Sequence, residues 1–334
     1  MRYELLTNCI GKTLGQDIID ENNLLILAAG TEITETLVRR LQNFGIYYLS
    51  IKEPLTDDLD ITNPISDQTI ITAANAIASL DIDKAFEAAD KIVADMTSNS
   101  AILGNGFMIL REYDENTAFH SISVAVFSIM LGMSLGLSMV RLRNLSVGAL
   151  LHDIGKSQIP IEILNKTGSL TAEETELMRQ HPKYGYNMVK DDVLMPIPVK
   201  SIILQHHENW DGSGYPRKLK EDKIYELASI THICDVFDAL ISKRSYKEAF
   251  SYKDSLDYME SMRGIMFNPY CLDYFFSEVP IYKVGLKVTL NTGETAIVVK
   301  NTRGDMRRPI IRMEATGQDI NLREVPVDEL FIES

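Results

Sequence analysis

Cysteine is scarce in this chain. The three residues, Cys9, Cys234 and Cys271, are too few and too scattered for a disulfide framework or a thiolate zinc site, which points to a reducing compartment. Positive charge is also in short supply. With 33 Lys and Arg against 47 Asp and Glu, the net charge is -14, and most of the surface repels nucleic acid and anionic membranes. DNA and RNA are therefore not expected partners, and a phosphate-bearing ligand needs a local cationic site. An apolar leader is missing, because Arg2, Glu4 and Lys12 interrupt the N-terminus, so the expected location is cytoplasmic. No repeat of fixed period and no low-complexity tract is found. What remains, 45% hydrophobic and 24% charged residues over 334 positions, is the composition of a globular protein of one large or two to three smaller domains.

One stretch, Thr117 to Val140, has no Asp, Glu, Lys or Arg and is long enough to span a bilayer. Its five serines, two glycines and His120 make it too polar for a lipid-facing helix, and it reads as a buried core helix broken between Gly132 and Ser138. Membrane insertion is not expected.

The coarse organisation has four parts. Residues 1–53 read as a small α+β module: a strand at Leu24 to Leu27, a helix capped by Thr34 and stopped by Gly45, and a strand at Tyr47 to Ile51. Residues 54–65, with two prolines and the acidic run Asp57 to Asp60, read as a linker. Residues 66–280 are mainly helical. Apolar spacing supports helices through Ile70 to Met96, Val140 to Leu151, Ile197 to Leu204, Leu227 to Leu240 and Ser255 to Met262. Thr171 with Glu174 makes a capping box, and Ser251 and Asn268-Pro269 supply further caps. Residues 281–334 switch to period two, with a hairpin of Lys287 to Leu290 and Thr295 to Lys300 and a strand at Ile310 to Met313. Arg303-Gly304-Asp305 reads as a turn. The predicted fold is mainly α, a helical bundle with a small module at each end.

The chemistry concentrates in the helical part. Of six histidines, five recur there as His120, His152 (followed by Asp153), His181 and His206-His207, with Asp235 further on. Imidazole and carboxylate suit Mn, Fe or Zn, and a carboxylate can bridge two ions. Both dyads end apolar helices, where buried polar groups need partners, so the helices are expected to converge on an ionic centre. The sixth histidine, His232, lies three residues before Asp235. Trp210 reads as packing beside this centre, Cys234 as buried off the ligand face, and Glu208 and Asp211 as carboxylates orienting imidazole N–H groups.

Leu151 to Lys156, Leu-His-Asp-Ile-Gly-Lys, resembles the HD-superfamily motif, and His206 to Pro216, His-His-Glu-Asn-Trp-Asp-Gly-Ser-Gly-Tyr-Pro, resembles the longer motif of its HD-GYP branch. The resemblance runs over about residues 100–280 through Lys166-Thr167-Gly168, His181-Pro182, Asp235 to Leu240 and Arg244-Ser245-Tyr246-Lys247. It implies a bacterial signalling phosphodiesterase that opens cyclic di-GMP to linear pGpG and can carry it on to GMP. It also implies that His120, His152, Asp153 and Asp235 surround one metal, and that His181, His206 and His207 hold a second bridged by Asp153. Iron or manganese is expected. Some members hold a third metal through a Glu at the position of Asn116, so two ions are expected here, with Glu115 an outside candidate. Lys156 corresponds to a phosphate-contacting lysine, Arg244 and Lys247 to residues on the second phosphate, and Gly214, Tyr215 and Pro216 to a loop shaping the nucleotide pocket.

The physical chemistry agrees with that assignment. Two divalent ions outweigh two aspartates, which leaves a positive centre in an acidic protein, and metals ionise water at neutral pH for attack on phosphorus. Lys156 and Asp153 are the residues expected at the reaction itself. Two alternatives stay open: an HD-type phosphohydrolase of another cyclic dinucleotide, an alarmone or a nucleoside triphosphate, or a cyclic di-GMP sensor without turnover. The regulatory partner is unknown, and homodimer formation is left open.

Overall fold

The computed structural model describes residues 2–15, 17–19, 24–44, 46, 48–51, 64–98, 117–166, 168–242 and 250–334. Gly45, most of the expected linker, Glu115, Asn116, Thr167, Arg244 and Lys247 lie outside the described residues.

At the N-terminus, β1 (Arg2–Leu5) pairs antiparallel with β4 (Tyr48–Ile51), and β2 (Ile18–Ile19) with β3 (Leu25–Leu27). Helix α1 (Glu35–Asn43) starts where expected, the Thr34 hydroxyl accepting the Leu37 N–H at 3.3 Å. The module closes over its own small core of Leu6, Cys9, Leu14, Ile33, Val38, Leu41, Leu49 and Ile51. Strands β1 and β2 are not among the expected elements; each is set by pairing with a strand that is, β4 and β3.

The Ile70 to Met96 run is two helices, α2 (Asp67–Ala78) and α3 (Ile82–Ser98), parted at Leu80, whose φ is +53°. Asp95 of α3 reaches back to the start of α2 and accepts from the Ser66 N–H at 2.9 Å and the Thr69 hydroxyl at 2.7 Å. The uncharged stretch is α4 (Thr117–Ser134), which ends before α5 (Met139–Leu151), so the break lies where the glycines and serines put it. Among the described residues no helix is long and apolar enough to cross a membrane.

Short α6 (Ile161–Leu164) and α7 (Ala172–Met178) follow, α7 carrying the complete capping box of Thr171 and Glu174. Then come α8 (His181–Val189), α9 (Ile197–Gln205), α10 (Glu226–Ile241), α11 (Tyr252–Ser261) and α12 (Pro269–Glu278), the last two capped by Ser251 and Asn268. Phe237 of α10 anchors the bundle, with edge contacts to Phe127 and Phe275 at 5.3 and 5.0 Å between ring centres.

The C-terminal sheet is antiparallel in the order β5 (Lys287–Thr289), β6 (Thr295–Lys300), β7 (Ile310–Met313), β8 (Asp319–Asn321). Arg303-Gly304-Asp305 is a turn, with Gly304 at φ +94°. The apolar core is continuous from the helices into this sheet, taking in Val288, Ala296, Val298 and Ile311. The Asn301 side chain pairs with both the N–H and the carbonyl of Tyr282, at 3.2 and 2.7 Å.

Candidate metal centre

Helix ends build the site. His120 lies in the first turns of α4, His152 caps the C-terminus of α5 with Asp153 next, His181 opens α8, His206 caps α9 with His207 next, and Asp235 sits within α10. These seven side chains meet as two neighbouring groups, Asp153, His181, His206 and His207 in one and His120, His152 and Asp235 in the other. Asp153 Oδ1 is 3.2 Å from His181 Nε2, and its Oδ2 is 3.2 Å from His152 Nε2, so one carboxylate faces both groups.

The last carbonyls of a helix have no partner within it, and here imidazoles supply one three times over. His152 Nδ1 lies 2.7 Å from the Ala149 carbonyl, His181 Nδ1 2.8 Å from that of Met178, and His206 Nδ1 3.0 Å from that of Ile203. Each bond places the proton on Nδ1 and turns the Nε2 lone pair inward. Two inward nitrogens, those of His181 and His206, lie 3.2 Å apart. His120 is held by a carboxylate instead, its Nδ1 2.7 Å from Asp238 Oδ2, while its Nε2 faces Asp235 Oδ1 at 3.0 Å.

Converging lone pairs and carboxylates are what a cation requires, and the unpaired atoms agree. His152 Nε2 and Asp153 Oδ1 are buried without a hydrogen bond, since their close approaches to neighbouring ligands lack donor geometry. Buried polar atoms in that condition cost free energy unless something else pairs with them. Protonation states point the same way. Burial raises the Asp153 carboxyl, but the neighbouring His152 and the Lys156 ammonium outweigh it and hold it well below the usual carboxylate range. Burial likewise opposes ionisation of Asp235, and His120 and His152 bring it well below that range. His206 and His207 are driven well below the ordinary imidazole value, first by burial and then, for His206, by the neighbouring imidazoles. His120, despite its burial, is raised to about 9 by Asp235 and Asp238, a proton that a bound cation would replace. The buried His/Asp cluster fits a divalent metal site.

Lys156 stands at the edge, its Nζ 2.5 Å from Asp153 Oδ2. The loop after α9 covers another side. Tyr215 stacks on His207 at 4.8 Å between ring centres, with the Arg179 guanidinium 5.6 Å from the Tyr215 centre on its way to solvent. The Tyr215–Pro216 peptide is cis. Two glycines are required by close approach. A Cβ on Gly155 would lie 2.0 Å from the His181 carbonyl oxygen, and one on Gly214 would lie 2.2 Å from the Asn209 nitrogen.

Two expectations need correction. Glu208 and Asp211 do not orient imidazoles: Glu208 accepts the Arg217 and Leu219 N–H groups at 2.7 and 2.9 Å, and Asp211 accepts that of Ser213 at 2.8 Å. Both carboxylates fold the loop by accepting from its own backbone donors. The orienting is done by the helix-end carbonyls and by Asp238, which sequence reading quoted within Asp235 to Leu240 without giving it a role. Its spacing of three from Asp235, which puts both on one side of a helix, was the available signal. Arg179 was also missed. His232 packs between His207 and Phe267, buried, with neither ring nitrogen hydrogen-bonded among the described residues. Cys234 is fully buried as expected, and Trp210 is half-buried, its backbone N–H donating to the Met266 carbonyl at 3.1 Å.

Comparison with known proteins follows the same segment. Residues 108–270 match the family model for the HD domain. A cyclic di-GMP phosphodiesterase of Pseudomonas aeruginosa is 34% identical over 256 residues, 76% of this chain and 60% of that protein. A cyclic di-GMP phosphodiesterase response regulator of Xanthomonas campestris is 44% identical over 140 residues, 42% of this chain and 37% of that protein. The chain thus spans 60% or less of the length of these curated relatives. The solved HD-GYP-type protein Bd1817 of Bdellovibrio bacteriovorus superposes with a TM-score of 0.53 at 20% identity, covering 82% of this chain and 97% of its own, a likeness of fold. Through the segment 108–270 and the motif that closes with Gly214-Tyr215-Pro216, the chain belongs to the HD-domain family, in its HD-GYP branch.

Proposed function

We propose that this chain is a metal-dependent phosphodiesterase that hydrolyses cyclic di-GMP to linear pGpG, with GMP as the product of a second cut at the same centre. The observation that carries the reading is the convergence of seven ligand-type side chains into two groups that share Asp153. The names of the matched relatives support the substrate. In this reading His120, His152 and Asp235 would hold one divalent ion and His181, His206 and His207 a second, with the Asp153 carboxylate available to both and iron or manganese as the expected metal. Such ions would supply Lewis acidity and lower the pKa of water toward neutrality.

The protein's own groups do the rest. The carbonyls of Ala149, Met178 and Ile203 and the Asp238 carboxylate fix the imidazoles, so no reorganisation is needed when charge develops. Lys156 offers three donors and no acceptor. It exchanges its bond to Asp153 for one to an oxygen of the attacked phosphate. Tyr215, stacked on His207, with Gly214 and Pro216 forms a wall of the nucleotide pocket, and Arg244 and Lys247 hold the second phosphate. Three cysteines, all buried and too scattered for a disulfide framework, fit a bacterial cytoplasm.

The test is metal analysis of the anaerobically purified protein together with chromatography of products after incubation with cyclic di-GMP. About two equivalents of metal and the appearance of pGpG are expected, both lost in Asp153→Ala. A metal-loaded wild type that binds cyclic di-GMP but never cleaves it overturns the enzyme reading in favour of a sensor.

A further inference from the structure

Of the five imidazoles at the centre, four have a ring nitrogen anchored from behind, His152, His181 and His206 on helix-end carbonyls and His120 on Asp238. His207 is the exception. It belongs to the group of Asp153, His181 and His206, yet among the described residues its ring has no hydrogen bond. The last torsion of a histidine is a broad, roughly two-fold well. A ring without an anchor therefore needs another constraint to keep its nitrogen aimed at a cation.

Tyr215 supplies a face. Its ring lies nearly parallel to that of His207, with 28° between the planes and 4.8 Å between the centres, inside the range of about 4.5–7 Å for favourable offset stacking. Turning the imidazole about its last torsion would drive an edge into the phenol. The other neighbouring rings do not cover it in this way, since His181 and His232 stand edge-on to His207, at 90° and 86°. The Tyr215 hydroxyl has no hydrogen bond among the described residues, so the flat ring is what this residue contributes.

The tyrosine is in turn held by the residue it covers. Its N–H donates to the His207 carbonyl at 3.0 Å, which closes the loop back on its own start. Gly214 permits that closure, because a Cβ there would lie 2.5 Å from the same carbonyl oxygen. The Arg179 guanidinium, 5.6 Å from the centre of the phenol, adds a cation–π contact to the stack.

We infer that Tyr215 is the positioning residue for His207, the face of its ring taking the place of the hydrogen bond that sets the other four imidazoles. The inference rests on the proposed metal centre and concerns the ion assigned to His181, His206 and His207. It makes the spacing from His207 to Gly214-Tyr215 a requirement of metal binding as well as of the nucleotide pocket.

The test compares the full-length wild type with Tyr215→Phe, Tyr215→Leu and Tyr215→Ala. Competitive titration of Mn(II) against a chelator, the visible spectrum of the Co(II)-loaded proteins and the thermal midpoint of the metal-free proteins are the readouts. Tyr215→Phe keeps the face and should bind both ions within twofold of wild type, with an unchanged Co(II) spectrum. Tyr215→Leu keeps bulk without a flat face, and Tyr215→Ala removes both. Each should weaken one ion about tenfold, the lower end of what groups behind metal-binding imidazoles contribute, alter the Co(II) spectrum and leave the other ion within twofold. If Tyr215→Ala fails to fold, Tyr215→Leu decides. Leu and Ala variants that bind both ions as wild type does overturn the inference. So does a Tyr215→Phe protein that loses as much as Tyr215→Ala, which would assign the effect to the hydroxyl, and so does equal loss of both ions with a lowered thermal midpoint, the mark of a collapsed loop. A wild type that binds no divalent ion overturns the metal centre and the inference together. One that binds metal but leaves cyclic di-GMP intact removes only the phosphodiesterase reading, and the titrations still decide the role of Tyr215.

Discussion

Asp238 holds His120 and touches nothing the metals would touch, so replacing it isolates what orientation contributes. Its carboxylate is buried, with Oδ2 2.7 Å from His120 Nδ1. In Asp238→Ala the ring loses its anchor and Nδ1 is left as a buried donor without a partner, a penalty of about 1–3 kcal/mol. Carboxylates behind metal-binding imidazoles are typically worth 10- to 100-fold in metal affinity, which converts to about 1.4–2.8 kcal/mol. The two routes agree. Asp238→Ala should therefore weaken metal binding about 100-fold, while Asp238→Asn, which keeps the volume and an acceptor oxygen but not the charge, should cost about tenfold. Competitive titration of Mn(II) against a chelator reads the affinity, and the thermal midpoint of the metal-free proteins checks the fold. Ser242→Ala is the control, since its hydroxyl reaches the same carboxylate only at 3.4 Å and should change little. An Asp238→Ala protein that binds metal within twofold of wild type refutes the argument that this carboxylate positions His120.

Lys156→Ala should lower single-turnover hydrolysis by about 100-fold or more while cyclic di-GMP affinity falls much less, the pattern of a group that acts on developing charge; normal turnover would reduce Lys156 to a neighbour of Asp153. Gly155→Ala puts a methyl group 2.0 Å from the His181 carbonyl oxygen, so α8 must shift. A lower thermal midpoint and loss of metal are expected, and wild-type stoichiometry in a stable variant contradicts the packing. In the chelated protein, His206, His207 and His232 have lowered pKa values, first through burial, so the unfolded chain takes up protons near pH 6.5 that the folded one does not. Stability should fall as pH drops below about 6.5. His120, raised to about 9, acts in the opposite sense and contributes stability that is lost as pH rises through 9. Chemical denaturation between pH 5.5 and 7.5 that shows no dependence would refute the buried neutral state of the three rings.

The ligands were legible in the sequence because they stand as adjacent pairs at the ends of apolar helices, and a polar dyad there has few uses other than binding. Helix limits were legible wherever a side chain caps the backbone, as at Thr34, Thr171, Ser251 and Asn268. What escaped depends on distance in space. Backbone carbonyls leave no mark in a sequence, so the acceptors behind His152, His181 and His206 could not be read. Carboxylates were therefore assigned to the task, and Glu208 and Asp211 were the nearest along the chain. In the fold those two lie among the N–H groups of their own loop, whereas Asp238 arrives from α10, 118 residues from His120.

Strands β1 and β2 escaped for a related reason. Their extended backbone is set by pairing with β4 and β3, strands distant along the chain or across a turn. The lining of a cavity beside Lys156 belongs to the same class. Ile77 and Leu80 read as ordinary residues at a helix end, and the packing of α2 against α3 and α4 brings them beside Lys156. A residue's type limits the chemistry available to it, while the element packed against it decides which chemistry is used. In this chain that holds for Asp238 and Leu80 alike, one turned toward an imidazole and the other over a cavity.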